Sequence, residues 1–155
     1  MNFIILIKKY EKEYYKRRIK RIHGYNESNL LTLQDKINWL IIHDTNKLKG
    51  KCADKILLHE YSKKKLGKDI CNKILKIYNN TKDINLNELP EKFVLKTNHG
   101  SGFNIIVNDS KNFNIDDAKN KLNIWINIDY GLSTGEFHYS FIKKKYLQKN
   151  LLEKI

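Results

Sequence analysis

The sequence predicts an α+β fold in which helices pack on short strands around a central glycine-loop β-hairpin. Phe93-Val94-Leu95-Lys96-Thr97 and Asn104-Ile105-Ile106-Val107 are brief runs rich in Val and Ile on either side of Asn98-His99-Gly100-Ser101-Gly102, and both read as strands. Elsewhere, apolar residues recur at helical spacing between capping residues and glycines. The 155 residues contain no internal repeat and no low-complexity linker, and they suffice for a sizeable core. The expected organisation is a basic amphipathic helix over residues 1–23, followed by one domain over 24–155.

Taken in order, residues 3–22 carry Phe3, Ile7, Tyr10 and Tyr14 on one helical stripe, which drifts to Tyr15, Ile19 and Ile22. Between Lys8 and Arg21 lie eight basic and two acidic residues, so this face could meet an anionic membrane or nucleic acid. The plainer reading is a packed helix with a solvated basic side. Gly24 is a natural C-cap. Thr32 and Asp35 approximate a capping box that opens a helix with Leu33, Ile37, Leu40 and Ile41 on its apolar face and Trp39 assigned to the core. His43 to Lys51 reads as a polar link, and a further helix runs from near Asp54 to Gly67, its Lys63-Lys64-Lys65 suiting the C-terminal dipole. Ile74 to Tyr78 is a strand, and Leu89-Pro90 leads into the hairpin. Asn114 starts a helix with Ile115, Ala118, Leu122 and Trp125 on one face, ending before Gly131, and residues 146–151 form a last strand.

Composition narrows the function classes. The formal charge of +13 resembles a nucleic-acid signal, but only Arg17, Arg18 and Arg21 among the 30 basic residues are arginine. The Lys, Ile and Asn excess matches an A+T-rich coding bias, whereas specific phosphate recognition favours Arg clusters, so no specific nucleic-acid partner is expected. Cys52 and Cys71 form no metal-ligand spacing and suit a reducing cytoplasmic setting. Phe3 to Ile7 is too short for a signal or membrane span.

The chemistry concentrates at the hairpin tip. Gly100 and Gly102 can adopt positive φ and let backbone N–H groups approach anionic oxygens, and Lys96 adds a positive charge at the mouth. The glycines open a strand, not a helix, which excludes a P-loop and a dinucleotide fingerprint. His99 and Ser101 invite a hydrolase reading, but residues that close in sequence rarely aim at one another, and no G-x-S-x-G elbow is present. Spacing alone leaves two readings open: a phosphate site, or an ordinary turn beside an exposed lysine.

Several ordered motifs resemble the TupA-like ATP-grasp family, associated with teichuronopeptide and surface-polysaccharide biosynthesis. Thr32-Leu33-Gln34-Asp35-Lys36-Ile37-Asn38-Trp39-Leu40 is similar to its early T-F-N-E-K-I-x-W-L segment, and Ala53-Asp54-Lys55 with Glu60-Tyr61 to its A-D-K-x-x-x-R-E-Y piece. Leu89 to Gly102 is similar to L-P-x-x-F-V-L-K-x-N-H-G-S-G, and Trp125 with Glu136-Phe137-His138-Tyr139 to the later W and E-W-H-Y pieces. The resemblance spans about Gly24 to Leu152. It implies a partial ATP-grasp fold, ATP and Mg2+ as cofactors, and amide-forming ligation of a carboxylate and an amine in cell-envelope assembly. The acceptor would be a cell-envelope polysaccharide or amino acid, and the location cytoplasmic or at the inner membrane face. Lys55, Lys96, His99, Gly100, Ser101 and Gly102 are the implied nucleotide contacts.

Three departures qualify the resemblance. His59 stands where the family has arginine, and Gln148-Lys149 falls near its adenine-side strand, where a glutamate is usual. Past Lys96, the scattered Asp109, Asp116, Asp117, Asp129, Glu136 and Glu153 form no metal pair by spacing. The expectation is therefore an N-terminal portion or a degraded copy, inactive alone, with a missing C-terminal half as a partner. No catalytic or metal-ligating residue is assigned. The alternatives are a glycosyltransferase-type polysaccharide enzyme, for which no D-x-D-like motif is found, and a non-catalytic polyanion or membrane-surface module using the basic helix.

Overall fold

The computed structural model describes residues 3–44 and 46–151, with side chains from Glu13 onward. The stripe expected on Phe3, Ile7 and Tyr10 thus lies outside the described side chains, as does Glu153. Helices α1 (Phe3–His23), α2 (Leu33–His43), α3 (Lys47–Ala53) and α4 (Leu57–Leu66) precede strand β1 (Ile74–Tyr78). Strands β2 (Phe93–Thr97) and β3 (Asn104–Val107) form the hairpin, followed by α5 (Ile115–Asn127), α6 (Tyr130–Thr134) and β4 (Tyr146–Asn150). The sheet is antiparallel with order β1-β4-β2-β3, so β4, the last described strand, lies between β1 and the hairpin. Helices on one antiparallel sheet are the expected α+β class.

The hairpin pairs Phe93 with Val107 and Lys96 with Asn104, as its two β-branched runs predict. Alternation along β2 then separates two faces. Phe93, Leu95 and Thr97 are buried on one side, where Phe93 and Leu95 join Tyr78, Tyr146, Ala118 and Leu122 in the main core. The opposite side carries Val94 and Lys96, both half-buried. α5 covers the core face, its first turn fixed by Asn114, whose side chain accepts from the amides of Asp116 and Asp117 at 3.1 Å each. Leu122 is wholly buried, a contribution of roughly 1.5–3 kcal/mol for an aliphatic side chain of this size.

A second cluster joins α1 to the rest. Ile19 is wholly buried against Tyr25, Ile42 and Phe137, and the rings of Tyr15 and Phe137 stack at 3.8 Å. Arg18 Nε donates to Leu132 O at 2.8 Å, and Lys16 pairs with Glu27 at 2.6 Å. No helix among the described residues is long and apolar enough to cross a membrane.

Three expectations are corrected. The polar link contains α3: Asn46 Oδ1 accepts from Leu48 N at 2.9 Å, and lysines are good helix formers that leave no apolar stripe to read. The following helix starts at Leu57 rather than near Asp54, because the Asp54 carboxylate accepts from Ile56 N at 2.8 Å and holds residues 54–56 in a turn. On α2 the capping box forms as expected, but the helix is turned from its predicted face. Asn38 and Ile42 are buried, while Leu33 (74 % exposed), Ile37 and Leu40 face outward and Trp39, 37 % exposed, stacks on His43. Contact with Ile19, Tyr25 and Phe137 selects this orientation, so neighbours rather than the stripe decide it.

Candidate functional site

The glycine loop is fastened to the rest of the protein by Asn98. Its side chain is wholly buried, and Nδ2 donates to Asp54 Oδ1 at 3.1 Å and to Lys143 O at 3.0 Å. Oδ1 accepts from Lys145 N at 2.7 Å, and the Asn98 backbone N–H donates to Lys145 O at 3.0 Å. Its carbonyl accepts from Lys55 N at 3.2 Å. One side chain thus satisfies both amide hydrogens and its oxygen while joining the turn before α4, the loop and the approach to β4. An unpaired buried amide there would cost about 1–3 kcal/mol.

Lys55 sits under this junction. Nζ donates to Gly100 O at 2.5 Å and to Asn98 O at 3.3 Å, so the early lysine holds the loop from below. Burial, then repulsion from Lys96, lowers its pKa to about 8; Asp54 opposes that shift and Lys149 adds to it. Burial also lowers the pKa of Lys96, whose Nζ has no hydrogen-bond partner among the described residues. Both lysines are therefore partly desolvated cations without a carboxylate ion pair, an arrangement that favours an incoming anion.

The loop has two required glycines. Gly100 has φ +75°, and a Cβ there would lie 2.8 Å from the Tyr130 ring. Gly102 has φ +79° with open space around it, and it and Ser101 form the exposed tip. The loop rests on an aromatic bed in which Phe103 stacks on Trp125 at 5.5 Å and meets Tyr130 edge-on at 5.6 Å. Tyr130 in turn meets Tyr139 at 5.0 Å, with His138 beside it.

His99 is wholly buried and turned into the protein, away from the tip. Its Nε2–H donates to Ile128 O at 3.2 Å, and Nδ1 has no hydrogen-bond partner among the described residues. Burial lowers its pKa below the ordinary histidine value, a shift the bond to Ile128 opposes and Lys144 and Lys55 reinforce. This neutral ring supports the loop from inside. The structure therefore brings Lys55, Lys96, Gly100, Ser101 and Gly102 around one loop and places His99 beneath it. Sequence reasoning did not select Asn98 or Asp54 for a role; their signal was the polar pair in two otherwise separate motifs.

On the site face of the sheet lies a further group. Lys149 Nζ is 3.1 Å from His59 Nε2, and His59 Nδ1 is 2.6 Å from Asp69 Oδ2. An ammonium can only donate, so Nε2 accepts and the ring proton sits on Nδ1, donated to Asp69. Asp69 Oδ1 accepts from Cys71 N at 2.9 Å and Ser62 Oγ at 3.4 Å. His59, Asp69 and Cys71 place ligand atoms within 4.8 Å of one another. A cation at Nδ1 would drive the ring proton to Nε2, against the Lys149 ammonium, so this set does not fit a metal while Lys149 is charged.

Several acidic residues elsewhere hold structure. Asp54 is bound by Asn98 and Ile56, and Asp129 accepts from Ser140 Oγ at 2.6 Å and Leu132 N at 3.0 Å. Asp109 accepts from Lys111 N and Asn112 Nδ2. Among the described residues, no carboxylate pair faces Lys96, and the described side chains do not fit a magnesium site beside the loop.

A strand carrying Lys96, a glycine loop fastened to Lys55, and helices on an antiparallel sheet agree with part of an ATP-grasp fold. The family model described as TupA-like ATPgrasp matches residues 35–154, and the chain belongs to that family. ATP-grasp proteins generally use ATP and Mg2+. A search of curated proteins and a search of solved structures each found no match to the chain.

Proposed function

We propose that this chain is the nucleotide-binding portion of an ATP-grasp carboxylate–amine ligase of cell-envelope or surface-polysaccharide assembly. It would hold the phosphates of ATP between Lys55, Lys96 and the 98–102 loop. The observation that carries the reading is Lys55 Nζ on Gly100 O at 2.5 Å, beside a Lys96 that has no hydrogen-bond partner among the described residues. Phosphoryl transfer depends mainly on positioning and charge neutralisation, and two desolvated ammonium groups with loop amides supply both. The proposal assigns binding to this chain and not turnover, since among the described residues no carboxylate pair that could hold magnesium faces Lys96. Ligation would then need carboxylates from another segment or polypeptide, and the acceptor would be a polysaccharide or amino acid. A cytoplasmic place, at the inner membrane face where envelope precursors are built, fits this role.

The test is an equilibrium titration with ATP. An open site with two cationic contacts should give a Kd of about 0.1–1 mM, or roughly 4–5.5 kcal/mol. Losing one charge-assisted contact at a partly sheltered site is worth about 1.4 kcal/mol, so Lys96→Ala should bind about tenfold more weakly. Lys121→Ala, on α5 across the sheet, should bind normally. Equal affinity of the wild type and Lys96→Ala would overturn the proposal.

A further inference from the structure

Lys96 is opposite Leu147 and Lys149 is opposite Val94 in the β2–β4 register. Residues facing each other across an antiparallel pair share a side, so Lys96 and Lys149 project from the same face as diagonal neighbours about 7–8 Å apart. Lys55 approaches from the turn before α4, through its bond to Gly100. Lys55 thus holds the glycine loop, Lys96 lies at its mouth, and Lys149 sits on the same sheet face, opposite Val94 and further from the loop. They repel one another: Lys96 and Lys149 both lower the pKa of Lys55, and Lys96, after burial, lowers that of Lys149. Asp69 and Cys71 oppose the shift on Lys149, yet none of the three lysines is in an ion pair among the described residues.

Lys149 differs from the other two in being braced. Its Nζ donates to His59 Nε2 at 3.1 Å, and His59 is locked by Asp69 at 2.6 Å. The carboxylate contacts the ring and not the ammonium, so it orients Lys149 without neutralising it directly. Holding three partly buried like charges together is costly unless an anion joins them. A ligand with several linked negative groups meets that requirement better than a single phosphate does.

We propose that Lys149, braced by His59 and Asp69, is a third cationic contact for a phosphate chain, which the site recognises by its number of linked phosphates. The proposal rests on the nucleotide reading above and deepens it. Lys55 and Lys96 hold the phosphate nearest the loop, and Lys149 takes one further along the chain.

The probe is inorganic tripolyphosphate, with AMP as the single-phosphate control, in buffer containing EDTA at fixed ionic strength. Wild-type affinity should be at least tenfold higher for tripolyphosphate than for AMP. Lys149→Met should weaken tripolyphosphate binding about tenfold and leave AMP unchanged, while Lys149→Arg keeps both. Lys149→Gln, of similar length and still a donor, serves if the methionine variant does not fold, and the same pattern is expected. Undiminished tripolyphosphate binding in a folded, uncharged Lys149 variant overturns the proposal, and so does equal loss for tripolyphosphate and AMP. Failure of the wild type to bind either ATP or tripolyphosphate overturns the nucleotide reading itself. ATP binding that is sensitive to Lys96 and insensitive to Lys149 removes only the third contact.

Discussion

Asn98 Nδ2 donates to Asp54 Oδ1 at 3.1 Å, and this buried contact ties the turn before α4 to the glycine loop. Residues 44 positions apart, each in its own motif, are thereby one structural unit.

Asn98→Ala would leave the Asp54 carboxylate, Lys143 O and Lys145 N short of partners. The expected loss is about 2–4 kcal/mol, because a buried charged acceptor is among the groups left unsatisfied. Urea unfolding of the wild type and variant measures it. A loss under about 0.5 kcal/mol would mean that the junction is held by other contacts.

The two loop glycines should differ. Gly102→Ala meets only the positive-φ penalty, about 1–2 kcal/mol, since nothing lies within 4 Å of its added methyl. Gly100→Ala adds a clash with the Tyr130 ring at 2.8 Å and should be the more destabilising of the two. Thermal melts of the pair give the order. The reverse order would contradict the close approach of Tyr130 to the loop.

Nucleotide affinity should fall as pH rises through about 8, where Lys55 loses its proton in the free protein. The same depressed pKa implies that the unfolded chain, with a lysine pKa of 10.5, binds more protons between about 8 and 10.5. Stability of the ligand-free protein should therefore rise over that window. ATP titrations at pH 7 and 9 read the binding effect, and Lys55→Arg should reduce it. A pH-independent wild type would contradict burial of a charged Lys55.

Acid should act through His99 and His138, whose pKa values burial lowers below the ordinary 6.5. Their contribution is present above about pH 6.5 and is lost as pH falls from there through the depressed folded values. Urea midpoints at pH 8 and 5 should fall less in His99→Gln, which can still donate to Ile128 O, than in the wild type. Identical pH dependence would show that the His99 ring takes up its proton without strain.

The hairpin was legible because its brief Val- and Ile-rich runs around a glycine turn leave one structural reading, with Phe93, Leu95 and Val107 inside and Lys96 on the other face. α5 was legible from its Asn114 cap and its Ala118 and Leu122 face. α2 was not, since its apolar stripe and its buried side disagree. Burial of Asn38 and exposure of Leu33 depend on where α1 and Phe137 stand. At the site, Lys96 and the glycines were readable from local sequence, and Lys55 from its motif. The inward turn of His99 was hidden, because it depends on Ile128, 29 residues away. Lys149 stood out in the sequence only as an unexpected residue near the adenine-side strand. Its bond to His59 becomes visible only once β4 is paired with β2.

The most direct test of the central claim is backbone amide NMR during an ATP titration. Saturable shifts should cluster at residues 96–104 and at Lys55, with smaller changes at Lys149, and Lys96→Ala should suppress them. Shifts confined to residues 16–21 of α1, or spread evenly over the lysine-rich surface, would show that the protein binds anions through its basic helix or nonspecifically. In that case the glycine loop would not be a nucleotide site.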